Sequence, residues 1–192
     1  MQLHTELAQF LNHYLSLGTI VGLVLAVAWA VDLFVIRIKS GPYKELRNVY
    51  KHIAYVALPL GFFVSLGGMA LSLFYSEYLG YLPCALCWFQ RILLYPMVIL
   101  FAVAWYKKEY HVYRYVLILS GVGFIIALYH HFLQMGYSEI IPCAANAVFV
   151  DCAKPSFVEF GFVTFPFMAV VTFSLLFLAS LTLRMKVKRD VK

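Results

Sequence analysis

The chain has 192 residues, of which 64% are hydrophobic and 12% charged, with a mean hydropathy of +0.84. An ordinary soluble domain is about 45–50% apolar and about 25% charged, so that class is excluded, and 18% aromatic residues exclude a disordered tail. The formal net charge of +6 would suit nucleic acid only if the basic residues shared one folded face. They sit instead in short connectors between apolar runs, so the expected surroundings are the lipid bilayer, with no nucleic-acid partner.

In chain order the apolar stretches are Leu15–Ile36, Ile53–Tyr75, Trp88–Tyr106, Tyr115–Leu133 and Gly161–Leu183, with lengths of 22, 23, 19, 19 and 23 residues. Each is long enough to cross a bilayer as a helix, which takes about 17–25 residues. Only Asp32 and Arg91 are charged within them. In lipid every backbone N–H and C=O must be bonded internally, and these continuous runs lack the alternation of barrel strands. The expected fold is therefore all-α, an integral membrane bundle of five spans. The first stretch has no basic segment before it, and 22 residues exceed the about 7–15 of a signal-peptide core, so it reads as a retained helix. Asp32 lies near its inner end, where it either snorkels or contacts another helix or subunit.

Thirteen of the fifteen basic residues fall on one side. They are Arg37, Lys39, Lys44, Arg47 and Lys51 in the first connector, Lys107, Lys108 and Arg114 in the third, and five in the tail after residue 183. The opposite side, residues 1–14, 76–87 and 134–160, holds Lys154 with Glu6, Glu77, Glu139, Asp151 and Glu159. The positive-inside rule puts that second side, with the N-terminus, outside and the C-terminus in the cytoplasm. Residues 42–52 of the first connector fit either a short helix on an anionic inner leaflet or a solvated basic loop.

All four cysteines, Cys84, Cys87, Cys143 and Cys152, lie in the two outer connectors, on the side where disulfides persist. Cys84-Ala85-Leu86-Cys87 is a C-x-x-C whose second cysteine stands just before a helix expected to open at Trp88. The dipole and free N–H groups of a helix N-terminus favour a thiolate. A disulfide closing so small a loop constrains little of the unfolded chain, so this pair reads as redox-active. Arg91, four residues after Cys87, falls on the same face about 5.4 Å deeper. It either snorkels to headgroups or balances the charge of a Cys87 thiolate or of an anionic or electron-accepting ligand, and the two roles are compatible. Cys143 and Cys152 form either a plain loop disulfide or a second redox pair. A zinc site on all four sulfurs is disfavoured by the wide spacing of that second pair, and no metal is expected.

The string Pro83-Cys84-Ala85-Leu86-Cys87-Trp88-Phe89-Gln90-Arg91 resembles the P-C-x-L-C-x-x-x-R pattern of the DsbB family of membrane disulfide-bond formation proteins. Residues 160–167, Phe-Gly-Phe-Val-Thr-Phe-Pro-Phe, resemble the start of that family's last helix, particularly in BdbC-type members. The likeness covers about residues 53–183. It implies a four-helix redox domain in a prokaryotic cytoplasmic membrane, preceded by an extra transmembrane helix and basic inner linker (1–52) and followed by a basic cytoplasmic tail (184–192). The implied activity is that of a quinone-dependent, protein-disulfide-forming oxidoreductase. It takes electrons from an extracytoplasmic thioredoxin-fold dithiol oxidase of DsbA or BdbD kind and passes them to ubiquinone or menaquinone. Carried over by motif, Cys87 is the thiolate that contacts or transiently adds to the quinone ring, Cys84 its disulfide partner, and Arg91 the stabiliser of charge on sulfur and quinone oxygen. Cys143 and Cys152 are the shuttle pair, with Cys143 forming the mixed disulfide, and His130 is a hydrogen-bond partner for a quinone carbonyl or an interfacial histidine without a ligand.

The chain departs from the pattern in its added first helix and in the short interval between Cys143 and Cys152. Two other readings of the residues stand beside this one. The first is a reductase of quinone or its epoxide, as in vitamin K epoxide reductases, and the second is a transporter or structural membrane subunit with ordinary disulfides. Against transport, the spans hold almost no ionisable residues and no matched broken helices.

Overall fold

A computed structural model describes the backbone of residues 2–38, 44–139 and 150–190, and the side chains of 6–35, 55–139 and 150–188. The apolar runs form helices α1 (Gln2–Ile38), α2 (Lys44–Leu73), α3 (Ala85–Lys107), α4 (Tyr113–Gln134) and α5 (Phe165–Asp190). All five contain segments long and apolar enough to cross a membrane, and among the described residues the only β pairing is an isolated bridge between Glu159 and Val163. The backbone of residues 44–52 is the first part of α2, so that much of the basic connector is an extension of a spanning helix. A π-helical turn, Phe74–Tyr78, ends α2. The last helix starts at Phe165, four residues later than the apolar run, because Phe160 and Gly161 take positive φ in a tight turn.

Helices α2, α3, α4 and α5 close a ring in which each packs on the next and α5 packs back on α2, while α1 lies outside the ring against α5. Within its most apolar stretch half of α5 is buried, against 11% for α1. Ile99, Ile118 and Ile125 face outward, each more than 60% exposed, as lipid-facing side chains must be.

Lipid is as apolar as leucine, so helix association depends on close packing. At the α2/α3 contact Gly61 lies under the ring of Phe101, and at the α4/α5 contact Gly123 lies under the ring of Phe173; at either glycine a Cβ would overlap the ring. Both phenylalanines are buried. Hydroxyls inside the bundle bond the preceding turn, as Ser120 does to Val116 O (2.6 Å) and Thr182 to Leu178 O (2.9 Å), which satisfies them without water. At the end of the bundle carrying the α3/α4 connector, Lys186 Nζ sits 3.1 Å over the Tyr110 ring. This gathers Lys107, Lys108, Arg114 and the start of the tail at one end.

Candidate functional site

Pro83 precedes Cys84, which adopts an extended conformation (φ −76°, ψ 174°) and caps α3. Its Sγ accepts the Cys87 N–H at 3.4 Å, and the first helical bond runs from Trp88 N–H to Cys84 O at 3.2 Å. The expected helix start at Trp88 is thus corrected by three residues. Apolar composition marks where lipid begins, whereas the cap marks where a helix's free N–H groups find an acceptor.

Cys84 and Cys87 are free thiols with their sulfurs 3.2 Å apart. Behind Cys84 stands His130 of α4, fully buried, with Nε2 3.6 Å from the sulfur. Gln90, one turn into α3, places its amide nitrogen 3.1 Å from His130 Nδ1. With that amide donating, Nδ1 is the acceptor and Nε2 carries the proton that faces Cys84. Gln134, one turn further along α4, also reaches Nε2 with its amide at 3.3 Å. The Cys84 thiol is held well below the usual thiol range. The hydrogen bond from Cys87 is the largest cause, and the His130 contact and the Cys87 N–H add to it against the opposing effect of burial.

Cys87 faces the other way. It lines a cavity of about 190 Å³ bordered by α2, α3 and α5 and by Leu15 of α1, whose walls include Tyr75, Tyr81, Arg91, Phe165 and Met168. The Phe165 ring lies 4.8 Å from that of Tyr75 and 6.0 Å from that of Tyr81. Arg91 donates to Ser72 O at 3.0 Å and lies over the Trp88 ring at 5.4 Å, so the guanidinium is pinned beside the cavity. His130 is not among the lining residues; it acts on the pair from the Cys84 side.

Cys152 is disulfide-bonded, fully buried, and packed in one apolar cluster with Cys84 and Leu133. Gln134 donates to its carbonyl at 3.5 Å. Cys143 lies outside the described residues. The structure thus brings Cys84, Cys87, Arg91, His130 and Cys152 to one end of the bundle. Cys84, Cys87 and His130 also present three ligand atoms within 4.8 Å of one another, an arrangement that equally serves thiol chemistry. Sequence reasoning passed over Gln90, Gln134 and Tyr75. For Gln90 the available signal was an amide inside an apolar span, which is costly unless partnered.

A family model for disulfide bond formation protein DsbB matches residues 55–183. The SPbeta prophage-derived disulfide bond formation protein B of Bacillus subtilis (strain 168) is 41% identical over 128 residues, covering 67% of this chain and 85% of that protein. Disulfide bond formation protein C of the same strain is 38% identical over 115 residues, covering 59% and 81%. A probable disulfide formation protein of Oceanobacillus iheyensis is 38% identical over 128 residues, covering 62% and 80%. No solved structure matches the chain significantly. With its C-x-x-C capping a membrane helix and a family match spanning most of the bundle, the chain belongs to the DsbB family of disulfide bond formation proteins and is a membrane disulfide oxidoreductase.

Proposed function

We propose that the protein reoxidises an extracytoplasmic thioredoxin-fold dithiol oxidase, of DsbA or BdbD kind, and delivers the electrons to a membrane quinone, ubiquinone or menaquinone. The observation that carries this reading is a line of sulfurs: Cys152 packs with Cys84, Cys84 touches Cys87, and Cys87 opens on the cavity beside Arg91. Apolar and aromatic walls with one pinned guanidinium fit a flat, neutral acceptor that gains negative charge on reduction. A quinone supplies that chemistry when bound, accepting two electrons and two protons.

The chain's own steps are thiolate exchanges. A partner thiolate attacks Cys143 and breaks its bond to Cys152, and the second partner thiol resolves the mixed disulfide. The partner leaves oxidised, and both Cys143 and Cys152 are reduced. Cys152, next to Cys84, then attacks Cys84 of the oxidised Cys84–Cys87 pair and expels Cys87 as the leaving thiolate on the cavity side, near Arg91. Cys143 resolves this second intermediate, which restores the Cys143–Cys152 disulfide and leaves the C-x-x-C pair reduced, ready to give up two electrons and two protons. His130, held by Gln90 and Gln134, stabilises charge on Cys84 and keeps a proton at Nε2. In this reading residues 53–183 form the redox domain, residues 1–52 an added helix and linker, and 184–192 a cytoplasmic tail. The basic end faces the cytoplasm of a prokaryotic cell.

The test is purified protein in detergent with a reduced thioredoxin-fold dithiol oxidase and a short-tailed quinone. Quinone loss should match partner disulfide gained, and Cys87→Ser should abolish both. Absence of quinone reduction by the unaltered protein overturns the reading.

A further inference from the structure

Helix α1 lies outside the family match, yet it contributes to the cavity. Leu15 is among the lining residues, the α1 side chain set into a wall otherwise built by α2, α3, α5 and the segments before α3 and α5. One turn earlier Asn12, 5% exposed, accepts a hydrogen bond from the Tyr75 hydroxyl at 2.7 Å, and Tyr75 is itself a buried lining residue. A buried amide in a membrane helix is costly unless partnered, so this bond fixes both the depth of α1 and the tilt of the Tyr75 ring. Tyr75 in turn meets Phe165 edge to face, so the bond constrains two of the cavity's aromatic walls. The body of α1 is seated on α5 through Ala26 and Leu33 against Leu178. Its outer turn reaches the segment before α5, with His13 3.8 Å from the Glu159 carboxylate and its ring 5.5 Å from that of Phe160.

We infer that α1 is a specificity element of the acceptor site: Leu15, and Asn12 acting through Tyr75, limit the size of the ring system the cavity admits. This rests on the quinone reading above. Asn12 is a positioning residue, since it touches the wall and not the acceptor. Loosening the wall should favour a fused two-ring naphthoquinone over a one-ring benzoquinone, and crowding it should do the reverse, with the change in KM and little in kcat.

The experiment compares a short-tailed benzoquinone with a short-tailed naphthoquinone on the full chain, by steady-state kinetics and by the rise each causes in the unfolding temperature. Leu15→Ala and Asn12→Ala should raise the naphthoquinone-to-benzoquinone ratio of kcat/KM at least threefold, with matching changes in thermal protection. Leu15→Trp should lower the ratio, while Leu17→Trp, on the outward face of the same helix, should leave it unchanged. Tyr75→Phe keeps the ring, removes the same hydrogen bond and should reproduce Asn12→Ala, with no further change in the double variant. An unchanged ratio and unchanged protection across these variants, in a protein that still reduces quinone, overturn the role of α1 alone. If the unaltered protein reduces neither quinone, both this inference and the quinone reading fail.

Discussion

Cys84 Sγ and His130 Nε2, from residues 46 positions apart in the chain, meet at 3.6 Å inside the end of the bundle where α3 begins and α4 ends. The contact joins a helix cap to the last turns of a different helix. It also gives the two cysteines of one motif different surroundings: Cys84 meets His130, and Cys87 meets the cavity.

Replacing His130 by Ala should shift the alkylation profile of reduced Cys84 to higher pH. The folded thiol is lowered, so the thiolate is present above that lowered value and is lost as pH falls through it. Losing a hydrogen bond to a charged group costs about 1.5–3 kcal/mol, or roughly a tenfold or larger drop in thiolate fraction within the titration range. Iodoacetamide rates against pH, read by peptide mapping, check this, and an unmoved profile would show that His130 does not act on the sulfur.

Arg91→Ala should raise the KM for quinone by about tenfold, the effect of losing roughly 1.4 kcal/mol of binding, and Arg91→Lys should restore only part of it. A lysine keeps the charge but not the planar guanidinium that bonds Ser72 O and covers Trp88. Equal kinetics for all three proteins would remove Arg91 from the site.

Gly61→Ala and Gly123→Ala should each destabilise the bundle by about 1–3 kcal/mol, the usual cost of overpacking. Their methyl groups would enter the buried rings of Phe101 and Phe173. Gly67→Ala meets nothing within 4 Å and should be neutral or mildly stabilising, since alanine is the better helix former. Thermal unfolding in one detergent distinguishes the three, and equal behaviour would mean the close contacts are not formed.

Cysteines introduced at Tyr137, 66% exposed near the redox end, and at Tyr106, 89% exposed at the basic end, report orientation. An impermeant maleimide should label Tyr137→Cys in intact cells and Tyr106→Cys only after lysis. The reverse pattern would invert the topology derived from the basic residues.

Much of the architecture was legible because lipid imposes a simple rule. Apolar runs of sufficient length must be helices, and all five runs are helical. Their ends were less legible: Ala85, capped by Cys84, rather than Trp88 opens α3, and α5 waits until Phe165, because caps and turns depend on local hydrogen bonds that hydropathy does not register. Cys84, Cys87 and Arg91 were readable from spacing within one helix. The partner of Gln90 stands on α4, beyond the reach of any spacing rule within α3.

By itself, then, the amino-acid order determined the membrane setting, the five helices, the clustering of basic residues in alternate connectors and the presence of a C-x-x-C with an arginine one turn inward. Tertiary structure alone decided that His130 stands behind Cys84, that Cys152 packs beside it, and that Asn12 of the added helix bonds Tyr75 of the cavity wall. The physical reason is range. Hydropathy and helical spacing act within a few turns of one chain segment, whereas these contacts depend on how helices distant in sequence pack and rotate against one another, which close contacts such as Gly61 on Phe101 and Gly123 on Phe173 set.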